Sequence, residues 1–134
     1  MVNVNTNTWW IDFGSTIHIS NSLQGKQNLR KLVRSEQFIL SRNKMGSHVE
    51  GIRTCYLTLD GGFVLELQRT FYVPSFSRNL ISVSRLVPFG YSFHFLGTYF
   101  SLTYKSDCVG NGILSDGLYC IFLQNDTTYN SLYV

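Results

Sequence analysis

The stretch CYLTLDGGFVLEL, Cys55 to Leu67, constrains the fold more than any other in the chain. Apolar and polar residues alternate on both sides of a glycine-containing turn, the period of a half-buried strand, so the segment reads as a β-hairpin. The rest of the chain repeats the theme. WWIDF from Trp9 reads as a buried strand ending at Gly14, and a second short strand falls around Ile17 to Ile19. EQFIL and SHVEGIRTCYLTL form a further strand pair across the polar connection SRNKMG. TFYV is stopped by Pro74, while YSFHF, YFSLTY and GLYCIFL are strands separated by Gly-containing turns. Aromatic residues make up 15% of the chain, which favours strands.

Helix is predicted in two places. KQNLRKLVRS puts Lys26, Arg30 and Arg34 on one helical face and Leu29, Leu32 and Val33 on the other. SRNLISVSRLV carries Leu80, Ile81, Val83, Leu86 and Val87 at helical spacing, with Ser77 as a cap and Pro88 as a stop. The expected fold is therefore mainly β with one or two short helices, an antiparallel barrel or a closed sandwich. A chain of 134 residues fits one compact domain. The expected organisation is a flexible leader over 1–8, a β-barrel domain over 9–123 and a C-terminal linker over 124–134.

Composition narrows the function classes. With 44% hydrophobic and 14% charged residues the chain is a packed domain, not a disordered one. No run of about 18 apolar residues is present, and MVNVNTNT has neither the basic nor the apolar region of a signal peptide, so a soluble, intracellular, cytoplasmic protein without membrane association is expected. Cys55, Cys108 and Cys120 are odd in number and lack CxxC spacing, which supports neither disulfides nor zinc and leaves buried reduced thiols. His48 and His94 are isolated, so no metal or other cofactor is expected. The net charge of +3 and a single basic face at Lys26–Arg34 fall short of a dedicated nucleic-acid binder.

WWIDFGST, Trp9 to Thr16, nearly spells the Asp-Ser/Thr-Gly signature of an aspartic peptidase. Three further segments follow in order: FYVPSFSRNLISVSRL about sixty residues later, then FGYSFHF, then SDGLYCIFL. Together they resemble the protease region of the Pol polyprotein of copia-type LTR retrotransposons, over nearly the whole span from Trp9 to about Leu123. The resemblance implies a closed retropepsin-like β-barrel in which each chain of a homodimer supplies one aspartate. It implies that Asp12 is catalytic, that Phe13, Gly14, Ser15 and Thr16 form the active-site loop, and that Ser41, Arg42, Asn43, Lys44 and Met45 are the flap tip. Arg78 and Asn79 would begin the helix beside that loop. The implied substrate is the Gag-Pol polyprotein, processed in a virus-like particle, and GLYCIFL would mark the exit toward the pre-integrase segment.

The chemistry of such a site needs two carboxylates. About 3 Å apart they cannot both ionise, so they share one proton; one form takes a proton from water while the other donates to the scissile carbonyl. Asp60 and Asp116 read as turn residues, so one chain offers one aspartate and needs a twin. Phe13 is the departure that matters. The family has Ser or Thr there, whose hydroxyl bonds across the dimer, and Phe has no donor. Arg53 stands where the family usually has a second Gly. Both departures lead us to expect a peptidase weakened or silenced. His18 is expected to be structural or to shape the active-site loop, and Trp9 and Trp10 to be core or dimer-interface packing. Two other readings stand beside the peptidase: a non-catalytic barrel that binds peptide or dimerises, and a small nucleic-acid-binding barrel using the Lys26–Arg34 face.

Overall fold

The computed structural model describes residues 7–22, 29–37 and 49–124. Among the described residues there are nine strands, a helical turn at 34–37 between the second and third of them, and two further short helical segments. The strands and these two segments are β1 (Trp9–Asp12), β2 (His18–Ser20), β3 (Gly51–Thr58), β4 (Val64–Tyr72) and β5 (Asn79–Ser82), then α1 (Val83–Leu86) with a 3-10 turn over Val87–Phe89. After these come β6 (Tyr91–Leu96), β7 (Tyr99–Tyr104), β8 (Asp107–Ser115) and β9 (Leu118–Ile121). The leader over 1–8 and the linker over 124–134 fall mostly outside the described residues, as do Lys26, His48, the SRNKMG connection and the end of EQFIL.

All nine strands join in one sheet, ordered β3-β4-β2-β5-β1-β9-β8-β7-β6. The sheet is not closed: β3 and β6 are its two ends. It does curl. Leu59 at the end of β3 bridges Leu123 after β9, Asp60 N–H donates to Phe122 O at 3.1 Å, and Gln124 N–H donates to Thr58 O at 2.9 Å. Nor is it wholly antiparallel, because β1 lies parallel to β5 and β2 parallel to β4. Those two pairings join strands whose connections are long enough to return the chain in the same direction.

The DGG hairpin forms as its pattern predicts, with β3 antiparallel to β4 from Thr58↔Val64 to Gly51↔Tyr72. Leu65 and Leu67 are buried while Val64, Glu66 and Gln68 face out, and β4 runs on through TFYV to Tyr72. Curling lets the inward residues of distant strands meet. Trp9, Ile11, Leu57, Leu59, Leu65, Leu67, Ile81, Phe100, Leu102 and Ile121 make one core, and Ile17, Ile19, Ile52, Phe71 and Val73 a second.

Three expectations are corrected. The first half of SRNLISVSRLV is strand: Leu80 pairs with Trp10 of β1 on one side and Ile19 of β2 on the other, so helix begins only at Val83. Ser82, not Ser77, occupies the cap position, and Pro88 sits inside the 3-10 turn. In the basic segment, Arg30 exchanges two backbone hydrogen bonds of 3.0 Å with Ile52, which holds it extended; among the described residues of this segment a helical turn appears only at 34–37, and Val33 is exposed. Finally, DCVGNGILS is a full strand, β8, despite Gly110, Asn111 and Gly112. A side chain at Gly112 would overlap Cys120 O and the Phe100 ring, so the glycine is what allows that close approach. Of the three thiols, Cys55 and Cys120 are buried but Cys108 is exposed.

Candidate active site

Asp12 ends β1, the strand held between β5 and β9. Its own backbone pairs with Ser82 of β5, while β9 reaches the strand at Trp10 and Ile11, and the chain leaves the sheet directly after Asp12. The loop turns on the Asp12 carboxylate itself. Oδ1 accepts from Gly14 N–H at 2.7 Å and Ser15 N–H at 3.1 Å, an Asx-type arrangement that satisfies two loop donors with one side chain. Gly14 is not in the left-handed region, and a Cβ there would meet Asp12 Oδ1 at an ordinary 3.5 Å.

The loop is tied down at its far end by serines. Ser15 Oγ donates to Ile17 O at 2.6 Å, while Ser15 O accepts from Ser82 Oγ at 2.6 Å and from Ser84 Oγ at 3.3 Å. Beneath it His18 is buried, and its Nδ1 accepts from Ser82 N–H at 2.9 Å. Burial, aided by the Arg85 charge, pushes the imidazole down to about 3, so it is neutral and carries its proton on Nε2. His18 thus joins the loop to β5 as a structural group.

Arg78 and Asn79 stand just before and at the start of β5, not on a helix. Asn79 is fully buried: Oδ1 accepts from Asn21 N–H at 2.8 Å and Nδ2 donates to Thr8 O at 3.1 Å, so one amide joins the two segments that flank the loop strands. The Arg78 guanidinium lies over the Trp10 ring at 4.7 Å. Trp9 and Trp10 are both buried. Arg53 is buried as well and donates to Ser22 O at 2.7 Å, giving the residue after Ile52 a structural task on β3. Ser41, Arg42, Asn43, Lys44 and Met45 lie outside the described residues.

Phe13 is the outlier of the loop. Its side chain is 59% exposed, and its ring sits 5.4 Å from Phe95 of β6. Phe95 in turn contacts Tyr119 at 4.8 Å, and Leu96 and Tyr99 at the same hairpin end are exposed, so an apolar surface continues from the aspartate loop across β6 and β7.

The serine ties were missed in the sequence because nothing local signals them; Ser15 and Ser82 are brought together only by the β1–β5 pairing. A family model described as Pol polyprotein, beta-barrel domain matches residues 9–91, more than half of the chain. The chain belongs to that family. In this Pol polyprotein beta-barrel domain the matched span holds the Asp12 loop, β1 to β5 and α1, and ends at the first residue of β6. The β6–β9 meander lies beyond the match, yet β9 supplies the second neighbour of the strand that carries Asp12. No curated protein and no solved structure matches the chain.

Proposed function

We propose that this domain is the retropepsin-like aspartic endopeptidase region of a copia-type Pol polyprotein, acting as a homodimer in which each chain contributes Asp12. The observation that carries the reading is the Asp12 loop: a carboxylate at the end of a buried strand, held by Gly14 and Ser15 N–H and braced by Ser82 and Ser84. Two such carboxylates at a two-fold axis would share a proton and activate water against a peptide carbonyl without a covalent intermediate. The substrate is the Gag-Pol polyprotein, the site of action a cytoplasmic virus-like particle, and Ser41 to Met45 the flap over the cleft. The closed barrel of that family belongs to this reading too.

Phe13 weakens that chemistry. It cannot donate the inter-chain hydrogen bond that a Ser or Thr would, and a displacement of catalytic groups by about 1 Å costs roughly 100-fold in rate. The exposed Phe13–Phe95 pair also favours a second reading, a non-catalytic module that uses this apolar surface to hold a peptide or a second copy.

Peptide-library cleavage at mildly acidic pH separates the two, with Phe13→Thr and Asp12→Asn beside the natural sequence. Because Phe13 is more than half exposed and its ring contact is worth about 1 kcal/mol, Phe13→Thr keeps the fold and its effect reports chemistry. The expected result is near-background turnover by the natural sequence, a gain of roughly 100-fold in Phe13→Thr and none in Asp12→Asn. Silence from all three folded proteins selects the non-catalytic module. Turnover by the natural sequence that vanishes in Asp12→Asn means that Phe13 is tolerated.

A further inference from the structure

A cavity of about 170 Å³ opens between β2, β4, α1 and the β6–β7 hairpin. None of residues 12–16 lines it, although His18, which joins the aspartate loop to β5, does; what the cavity holds does not depend on the peptidase reading. Its volume is close to the roughly 150 Å³ that holds one benzene ring in an engineered apolar cavity. Its walls are not apolar throughout.

His18 lines the cavity and is only 2% exposed. With Nδ1 taken by Ser82 N–H, the neutral ring offers its Nε2 proton, for which no acceptor exists among the described residues. Arg85 lines the same cavity from α1, half-buried. Among the described residues it has no carboxylate within ion-pair distance, and the charge it feels most is the like charge of Arg69. A guanidinium fork and an imidazole N–H thus face one space, both unmatched.

The remaining lining sets the shape and charge of what fits. Tyr91 and Tyr104 stand with ring centroids 4.6 Å apart, and Phe89 at the rim is 61% exposed, which gives flat apolar walls. Glu66 also borders the cavity, its carboxylate accepting from Gln68 Nε2 at 2.8 Å. That rim charge opposes a second negative charge, so a dianion such as phosphate is disfavoured against a monoanion. Arginine's planar fork matches a carboxylate with two parallel hydrogen bonds, leaving the second lone pairs for the imidazole.

We propose that this cavity is a binding site for a carboxylate carried on a flat apolar body, Arg85 and His18 taking the carboxylate and Tyr91, Tyr104 and Phe89 the body. The same group could be presented by a free aromatic acid or by the C-terminal aromatic residue of a peptide.

The test is a two-dimensional amide NMR titration of the domain with phenylacetate, with phenylacetamide and inorganic phosphate as controls. Saturable shifts are expected at the amides of Leu86, Tyr91 and Tyr104, with at least tenfold weaker binding of both controls. Arg85→Gln is expected to weaken phenylacetate tenfold or more, and Arg85→Lys, which keeps the charge but not the fork, by less. Equal binding of acid and amide, equal binding of phosphate, undiminished affinity in Arg85→Gln, or no saturable shift up to about 10 mM would each overturn the proposal. A short peptide ending in Phe, titrated as the acid and as the C-terminal amide, then assigns the source. Tighter binding of the peptide acid than of phenylacetate points to a peptide terminus, and weaker binding to a free acid.

Discussion

Replacing Glu36 by Gln tests how the segment leading into residues 38–48 is anchored. Glu36 is 2% exposed and accepts from Arg30 Nη1 at 2.7 Å and Nη2 at 2.5 Å, and from Val33 N–H at 3.0 Å; Arg69 Nε lies 3.5 Å away. The Val33 bond is the return half of a capping box on the turn at 34–37. The Arg30 hydrogen bonds, more than the Val33 bond and the charges of both arginines, hold the carboxyl down at about 2 against an ordinary 4.5. A shift of that size would carry a ceiling of about 3 kcal/mol. Arg30 and Arg69 are each close to half exposed, so solvent screens much of the attraction, and a cost of about 1.5–2 kcal/mol is expected at pH 7.

The sign follows from a folded value below the unfolded one. The stabilisation is complete above about pH 5, falls as pH drops through 4.5 toward 2, and is about half gone by pH 3. Urea unfolding of the natural sequence and Glu36→Gln at pH 7 and pH 3 reads this directly as a gap in midpoints that narrows in acid. Gln can keep the Val33 bond through Oε1, but its amide nitrogen cannot accept from Arg30 Nη2, so the comparison removes the charge together with that charge-assisted hydrogen bond. A gap that does not change with pH, or one below about 0.5 kcal/mol at pH 7, would refute the anchoring role assigned to the ion pair.

Gly112→Ala should be severe, because its Cβ would overlap a backbone carbonyl and an aromatic ring; a loss of about 3 kcal/mol or more is expected, read as a fall in Tm of roughly 10 °C. An unchanged Tm would mean that β8 can move away from Phe100. Asn79→Leu removes the bonds to Asn21 and Thr8 and should cost about 2–3 kcal/mol, with faster hydrogen exchange at the Asn21 amide as the local readout.

What could be read from sequence was whatever local chemistry settles. The DGG hairpin and the Asp116–Gly117 turn needed only their own residues, and both Asp116 at φ 52° and Gly117 at φ 83° adopt the left-handed backbone such turns require. Asn79–Ser82 misled because Leu80, Ile81, Val83 and Leu86 satisfy a helical spacing, whereas the gap between β1 and β2 accepts a strand and supplies hydrogen bonds on both sides. β8 was read as turn because its glycines look like punctuation; they are strand positions whose side-chain space Leu59 and Phe100 already fill. At the candidate site the motif around Asp12 was legible. A structural or loop-shaping His18 was expected as well, but its partner Ser82 and the bonds of Ser15 to Ser82 and Ser84 were not, since each spans more than sixty residues of chain.

The placement of β1 has a consequence in time. Trp9 pairs with Asn79 and Trp10 with Cys120, so the strand that bears Asp12 is made well before either neighbour, one following after some seventy further residues and the other after about 110. Contacts so far apart in the chain make folding slow, and they cannot form while the later segments are still inside the ribosome. During synthesis the aspartate loop therefore gains its first sheet neighbour and its serine ties only once residues 79–84 have emerged, and β1 gains its second neighbour only when Leu118–Ile121 follows.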